Sequence, residues 1–394
     1  MSRPDAQPDR QDFLSIFLHD IPLIDTRAPV EFDRGAFPSS VSLPLMTNEE
    51  RAQVGTCYKQ QGQAAAIELG HRLVTGQVKA QRVSAWIEFA GRHPEGYLYC
   101  WRGGLRSQIC QQWMREAGCD FPRIGGGYKA MRRFLIDEFE RICTEQPLMV
   151  LGGRTGCNKT ALIRELPQAA DLEALANHLG SSFGRRPGGQ PTQLGFENGL
   201  AVALLKADQQ AQHRGLSIVL EDEGRLVGRC ALPPVLSQAM GHCPIVLLEI
   251  PLEERVEHSY RNYILNKQDE WQQLLGDDAG FDAFKEDLIQ SLFRVRKRLG
   301  GVRYRHISEL LDGALAAHSR GDPGRHREWI RQLLVDYYDP MYDYQLSKRS
   351  EHIVFRGDRK AVSDFLAVAD NKSARPQSLQ LNSKSMTSSG CHQK

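Results

Sequence analysis

The stretch PLMVLGGRTGCNKTALIREL, residues 147–166, decides how the larger part of this chain folds. Leu148 to Gly152 is a short, uniformly apolar run, the pattern of a strand buried on both faces of a parallel sheet. The loop RTGCNKT interrupts it, and ALIREL reads as a helix. Strand, glycine-bearing loop and helix, with a lysine and a threonine where the helix starts, make a cradle for phosphate. Its backbone amides point at the anion, the lysine reaches the terminal oxygens, and the threonine hydroxyl can ligate Mg²⁺. The candidate phosphate-binding set is therefore Gly153, Thr155, Gly156, Lys159 and Thr160. Against the pattern G-x-x-x-x-G-K-[ST], one position departs: Asn158 stands where the second glycine belongs. Asparagine enters left-handed backbone more readily than most non-glycine residues, so the loop is expected to survive with reduced affinity.

Two further apolar runs extend the pattern. SIVLEDEG, residues 217–224, reads as a strand ending in acids, and PIVLLEIP, residues 244–251, as another. Glu221, Asp222 and Glu223 supply the carboxylate such a loop pairs with, and Thr160 with Asp222 is the candidate Mg²⁺ pair. From Leu252 the chain reads as mostly helical. The plainer alternatives are a glycine-rich turn without ligand and a solvated strand end.

The chain has 394 residues, 41% hydrophobic and 25% charged, with a net charge of +2. That length favours two domains. A near-neutral charge means that any nucleic acid must be held by local basic patches. The N-terminal residues contain no apolar stretch of a signal peptide, and no run approaches membrane-spanning length. The nine cysteines are scattered without a C-x-x-C pair, which argues for a reducing compartment and against a disulfide framework or zinc knuckle. The expectation is a cytoplasmic enzyme with no membrane and no obligate protein partner.

A second chemistry-bearing loop, CWRGGLRS, spans residues 100–107. It follows the apolar run Tyr97-Leu98-Tyr99 and precedes the helical pattern RSQICQQWMREAG. Glycines let consecutive amides turn toward an oxyanion, and the helix adds its positive end. Cys100 is the candidate nucleophile. Arg102, Gly103, Gly104, Arg106 and Ser107 are the candidate anion-binding set, and the same field favours a thiolate. A cysteine merely buried at a strand end is the alternative. Sulfurtransferases of the rhodanese type and cysteine phosphatases both build such loops. IDTRAPVEFDRGAFPSSVSLP, residues 24–44, resembles the rhodanese opening, with Asp25, Arg27, Glu31, Phe32 and Gly35 in place. The loop has the longer, phosphatase-like spacing, yet Tyr99 occupies the position where such phosphatases carry histidine.

Together, the rhodanese-like segment with C-W-R-G-G-x-R-S, the G-G-Y-K that follows and the phosphate loop resemble the tRNA 2-selenouridine synthase family. The resemblance extends through DLEALANHLGSSFG (171–184), QPTQLGFEN (190–198), VLEDEGRLVG (219–228) and YYDPMYDYQL (337–346), and covers roughly residues 10–368. Asn158 departs from it, as does Leu179, where an arginine is expected. The implied fold is α/β: a rhodanese-like domain over 10–143, a P-loop NTPase-like domain with a parallel sheet and a helical C-terminal part over 144–368, and a disordered tail over 369–394. The implied activity converts 2-thiouridine at the tRNA wobble position to 2-selenouridine. It does so in two steps, through S-geranyl-2-thiouridine made from geranyl diphosphate and then through selenophosphate. No tightly bound cofactor is implied beyond these substrates and Mg²⁺. Cys100 would carry selenium as Cys–S–Se⁻, the residues around it would bind selenophosphate, and the P-loop set would bind the diphosphate. A cysteine phosphatase or sulfurtransferase fused to a nucleotide-binding domain is the alternative, and a non-catalytic RNA-binding P-loop protein a third.

For RNA, RVRKRLGGVRYRH, residues 294–306, concentrates positive charge; Arg296, Lys297 and Arg298, with Arg185 upstream, are the candidate contacts. His178, Arg186 and Gln193 lie in polar stretches that are weaker candidates. A solvated helix face is the commoner meaning of such a run.

Overall fold

The structure is a computed structural model that describes residues 10–369. The expected disordered tail lies, beyond Ala369, outside the described residues. Residues up to Arg141 join Thr192–Lys206 in one compact unit, and Ile142–Pro191 join those from Ala207 onward in another.

In the first unit, β1 (Leu23–Asp25), β2 (Ser40–Ser42) and β3 (Tyr97–Tyr99) form a parallel sheet in the order β2-β1-β3. Sequence reading starts β1 at Ile21. The ladder begins at Leu23 because Pro22 has no N–H to give it; its carbonyl accepts from the Tyr97 amide at 3.2 Å. β1 is buried throughout, and the register sets Asp25 opposite Tyr99. The helices Asn48–Leu73, Gly76–Arg92 and Leu105–Glu116 supply Trp86, Phe89, Trp113 and Met114 to a core that includes Ile24 and Leu98. Each such fully buried large side chain contributes roughly 1.5–3 kcal/mol. A capping box of Thr47 and Glu50 starts the first of these helices, and Gly62, at φ 85°, breaks it midway.

The sequence assigns Thr192–Lys206 to the second domain, but the structure packs it in the first unit. The helix Gln193–Arg214 begins there. Thr192 Oγ1 donates to the Arg34 carbonyl at 2.8 Å, and Asn198 Nδ2 donates to the Ala36 carbonyl at 3.0 Å. Asn198 is completely buried, and a buried amide must find partners. Those partners lie about 70 and 160 positions away in the chain, where no local pattern can reveal them.

The second unit is built on a five-stranded parallel sheet in the order β10-β9-β4-β6-β5. Its strands are β4 (Leu148–Gly152), β5 (Ala169–Ala170), β6 (Ile218–Glu221), β9 (Ile245–Leu248) and β10 (Ile353–Gly357). A small antiparallel pair, β7 (Leu226–Val227) with β8 (Cys230–Ala231), stands apart. The expected central strands form where their apolar runs place them, and β4, β6 and β9 are buried throughout. β10 was not expected, because one five-residue run after a hundred helical residues carries little periodic signal. Beyond β9 the chain forms helices, including Leu252–Tyr260, Asp277–Leu299, Gly301–His318 and His326–Leu333. They enclose a separate core of Tyr260, Phe284, Trp329 and Tyr338. Among the described residues no helix is long and apolar enough to cross a membrane.

Candidate functional site

Each unit carries one candidate loop, at the C-terminal end of a parallel strand. In the second unit the loop follows β4 and feeds the helix Lys159–Glu165. Gly153 and Gly156 have φ of 156° and 83°. A Cβ on Gly153 would lie 2.6 Å from Cys157 Sγ, and one on Gly156 would lie 2.7 Å from the Arg255 carbonyl, so neither position tolerates a side chain. Asn158 adopts φ 63°, ψ 38°, the left-handed conformation of the glycine it replaces, and its side chain makes no cap hydrogen bond. The loop is held from outside. The Gly153 amide donates to the Tyr342 hydroxyl at 2.7 Å. Arg255 donates to the Thr155 carbonyl at 3.1 Å while both its terminal nitrogens grip Asp339 at 2.7 Å.

Three carboxylates surround the loop's cation. Thr160 Oγ1 donates to Glu173 Oε2 at 2.9 Å, and the Glu173 amide donates to Glu221 Oε2 at 3.3 Å. Glu221 is fully buried and its Oε1 has no partner. Burial pushes the Glu221 carboxyl up to about 8, helped by the charges of Glu173 and Asp171. Burial and Glu223 push Glu173 up to about 7. Glu223 also reaches about 7: burial dominates, Lys159 pulls it back, and Glu221 adds to the rise. Burial alone would lower the Lys159 ammonium, but Cys157, Glu223, Glu173 and Glu221 outweigh it and hold the group well above its ordinary value.

The expected Thr160–Asp222 pair is not what the structure assembles. Arg349 Nη2 donates to both Asp222 oxygens, at 2.8 and 3.0 Å, and the carboxylate on Thr160 is Glu173. Glu173 lies in a stretch the sequence reading quoted but gave no role; an acid N-terminal in a four-residue helix carries no motif of its own. Among the described residues no three Asp, Glu, His or Cys side chains could hold a metal ion together. Mg²⁺ ordinarily uses one or two carboxylates plus substrate phosphates. The Thr160 hydroxyl and the open oxygen of Glu221 fit that donor set.

In the first unit, Cys100 is the first residue past β3 and is 2% exposed. Its Sγ lies 3.2 Å from Ser107 Oγ, and that hydroxyl donates to the Gly104 carbonyl at 3.0 Å. Gly103, at φ 63°, lies against the Gly126 backbone, where a Cβ would come within 2.6 Å. The Tyr128 and Lys129 amides donate to the carbonyls of Cys100 and Trp101 at 2.9 and 3.0 Å, and Arg123 donates to the Gly103 carbonyl at 3.0 Å. The glycine run 125–127 is thus the loop's second wall. The helix Leu105–Glu116 begins inside the loop, and no side chain caps its N-terminus.

The two arginines differ. Arg106 Nη1 donates to Glu31 Oε2 at 2.7 Å, and Arg51 joins the same carboxylate at 3.0 Å. Burial opposes the charge on Glu31, but Arg106 outweighs it and holds the carboxyl below its usual range. Arg102 is exposed and pairs with no carboxylate among the described residues. Of the rhodanese-like opening, Arg27 and Asp25 form a fully buried ion pair at 2.7 Å, and the Tyr99 hydroxyl donates to the same Asp25 oxygen at 2.8 Å. These residues hold up the floor of the loop.

Cys100, Arg102 and Arg106 open on a cavity of about 1000 Å³. Its remaining wall includes Val54, Ile67 and Trp113 from the helices Asn48–Leu73 and Leu105–Glu116. The sequence gave no sign of it, since the lining comes from four separate stretches.

The basic run forms the last turn of Asp277–Leu299 and the first turn of Gly301–His318, joined at Gly300. Lys297 and Arg298 are exposed; Arg298 also donates to the Tyr337 hydroxyl at 3.2 Å. Arg296 is half-buried and lies 3.6 Å over the Phe293 ring. Arg185 is exposed in a bridge with His178. Arg186 is taken by an ion pair with Glu270. His178 Nδ1 is buried without a partner, and burial lowers the ring to about 4. Gln193 sits in the first unit, at the start of its helix.

Comparison with known proteins covers nearly all of this chain. The family model described as the tRNA 2-selenouridine synthase AAA domain matches residues 146–373. Three curated proteins called tRNA 2-selenouridine synthase are similar along their length. The one from Hahella chejuensis is 59% identical over 93% of this chain and 96% of its own. Those from Cupriavidus pinatubonensis and Pseudomonas fluorescens are 54% and 53% identical, each over 91% of this chain and 98% of its own.

Proposed function

The chain belongs to the tRNA 2-selenouridine synthase family, and on that premise we propose that it replaces the sulfur of a wobble 2-thiouridine in tRNA with selenium. We propose further that the route runs through an S-geranyl intermediate and that the two loops divide the work. The observation that carries this reading is the cavity at Cys100, where a nucleophile and two guanidinium groups share one space with an apolar wall. Such a space suits an anion that must react beside a hydrocarbon chain.

The chemistry follows from leaving groups. A thiocarbonyl sulfur leaves poorly, whereas an S-alkyl group on an electron-poor ring leaves as a thiol. Alkylation by geranyl diphosphate sheds a diphosphate, whose charge must be neutralised as the C–O bond breaks. Lys159 and the amides from Gly153 to Thr160 supply that. Mg²⁺, held by Thr160 and Glu221, would add charge at the phosphates. Selenophosphate, the selenium donor in this reading, is the anion for Arg102, Arg106 and the Cys100 loop. The first unit is read as rhodanese-like, with boundaries near 10–143 and 144–368 apart from Thr192–Lys206. The exposed cations Arg185, Lys297 and Arg298 are offered to the tRNA backbone, and the enzyme is placed in the cytoplasm.

The test is mass analysis of wobble nucleosides from cells with and without this protein, together with reconstitution from pure components. Selenouridine that disappears with the protein supports the reading. A modification that is unchanged, with p-nitrophenyl phosphate hydrolysis that depends on Cys100, would replace it with the phosphatase alternative.

A further inference from the structure

The fate of the phosphoryl group decides what Cys100 does. In the function proposed above, on which this inference rests, selenium arrives bonded to phosphorus and ends on C2 of the ring. If Cys100 took the selenium as Cys–S–Se⁻, the electron pair of the P–Se bond would stay on phosphorus as a phosphite-level product. The Cys–S–Se–C2 link formed next would then need a thiol to reduce it. A route in which sulfur takes phosphorus needs neither.

The loop has the form that such a transfer requires. Cys100 and Arg106 bracket five residues, and the backbone between them is clasped by Gly126 and Gly127 so closely that Gly103 cannot carry a side chain. Ser107 follows the arginine directly, buried, with its hydroxyl 3.2 Å from the sulfur. Glu31 fixes the Arg106 guanidinium through Nη1 at 2.7 Å and Nη2 at 3.4 Å, which leaves its other edge for an anion. The helix beneath starts with uncapped amides, a positive end that favours phosphate oxygens. A bare selenium atom would need none of this, whereas three phosphoryl oxygens use all of it.

We propose that Cys100 is the phosphoryl acceptor of the selenation step. The selenium of selenophosphate first attacks C2: the C2–Se bond forms, the C2–S bond breaks, and the geranylthiolate leaves and takes a proton. The product is a C2–Se–PO₃ uridine. The Cys100 sulfur then attacks phosphorus: the S–P bond forms, the P–Se bond breaks, and its electron pair stays on selenium, which leaves 2-selenouridine. Water attacks the phosphocysteine, the S–P bond breaks, inorganic phosphate departs, and Ser107 donates its proton to the leaving sulfur. No step oxidises or reduces anything.

The experiment uses the purified full chain, an S-geranyl-2-thiouridine anticodon stem-loop and selenophosphate, stopped by denaturant at neutral pH. Intact mass and phosphorus NMR then read the protein, and mass spectrometry reads the RNA. A phosphoryl adduct on Cys100 without selenium is expected, at least tenfold more abundant at steady state in Ser107→Ala. Cys100→Ser, shown folded by an unchanged melting temperature, should accumulate RNA that carries both selenium and phosphorus. Selenium on Cys100, or Cys100→Ser RNA that remains S-geranylated, would overturn the proposal. If the wild-type protein does not convert the stem-loop at all, the function proposed above falls. In that case a phosphocysteine signal from p-nitrophenyl phosphate still supports the phosphoryl role of the loop, and its absence ends it.

Discussion

The two loops look alike in sequence and are opposite in charge. Each follows a buried parallel strand, turns on glycines and ends at a helix N-terminus. Around Cys100, two arginines share one carboxylate, Glu31, which Arg106 holds below its usual range against the effect of burial. Around Lys159, one ammonium faces three buried carboxyls that burial pushes up to about 7 or 8. The first loop is finished: its anion site is positive and its carboxylate already ionised. The second holds surplus acid that only phosphate-bound cations or protons can relieve. The difference fits a site that receives a small anion from solution and another that works with a metal-accompanied diphosphate.

The largest expected effects separate the loops completely. Cys100→Ala should abolish selenouridine and leave geranyl transfer intact, so the S-geranyl nucleoside accumulates; nucleoside mass analysis reads both. Normal selenouridine in that variant would collapse the distinction. Lys159→Ala should do the reverse. Loss of one preorganised charge-stabilising group costs about 10²–10³ in rate. Geranyl transfer should fall by that factor, while pre-geranylated tRNA with selenophosphate still yields selenouridine. Equal loss of both half-reactions in folded protein would argue against separate sites.

These predictions rest on features of unequal legibility. The P-loop was readable because its parts are contiguous, and the left-handed tolerance of asparagine foresaw the conformation of Asn158. The strands β4, β6 and β9 were readable because parallel sheets demand unbroken apolar runs. What escaped was everything set by distant partners. Asp222 had the expected type and position, but Arg349, over a hundred residues later, claims it. Glu173 reaches Thr160 only because a four-residue helix turns it there. Arg106 was legible as a cation, and its partner Glu31, 75 positions earlier, was not. The cavity at Cys100 had no linear signature at all.

The surplus acid at the second loop sharpens the contrast through pH. Glu221 titrates at about 8 when folded, above its ordinary 4.5. The folded chain therefore binds more protons than the unfolded one between those values, and stability contributed by this group is present in acid and lost as pH rises through about 8. Glu221→Gln removes the charge, and near pH 8.5 it should stabilise the protein by about 2 kcal/mol, roughly half the full linkage because the neighbouring acids share the shift. Near pH 5 the gain should vanish. Denaturant melts at the two pH values check this, and a gain of equal size at both would mean that burial of the acid is not the cause.

At the first loop, Glu31→Gln keeps the shape and removes the charge that orients Arg106. A charge-assisted hydrogen bond is worth about 1.5–3 kcal/mol, part of which the amide retains. Selenation should weaken about tenfold, seen as a raised KM for selenophosphate, with geranyl transfer unchanged. A loss confined to kcat would move Glu31 from positioning to proton transfer.

The smallest effect concerns Asn158, where the second loop departs from its pattern. Its φ of 63° and ψ of 38° lie in the left-handed region, which costs an ordinary L-residue about 1–2 kcal/mol and asparagine less. Its side chain caps nothing in the free loop. Glycine would remove the backbone strain and the side chain from the path of the phosphates, at the expense of a more flexible unfolded chain. These terms nearly cancel in stability, so the melting temperature of Asn158→Gly should scarcely move. They do not cancel in binding, because chain flexibility is already settled in the folded protein, while the side chain still crowds the anion. Asn158→Gly should bind geranyl diphosphate several-fold more tightly in calorimetry, by about 1 kcal/mol or less. Asn158→Ala should bind it more weakly than the wild type, since alanine keeps the strain and cannot hydrogen-bond. Weaker binding by the glycine variant would show that the amide is itself a phosphate ligand. The asparagine would then be part of the second cradle, and its departure from the glycine pattern would be a specialisation for the diphosphate.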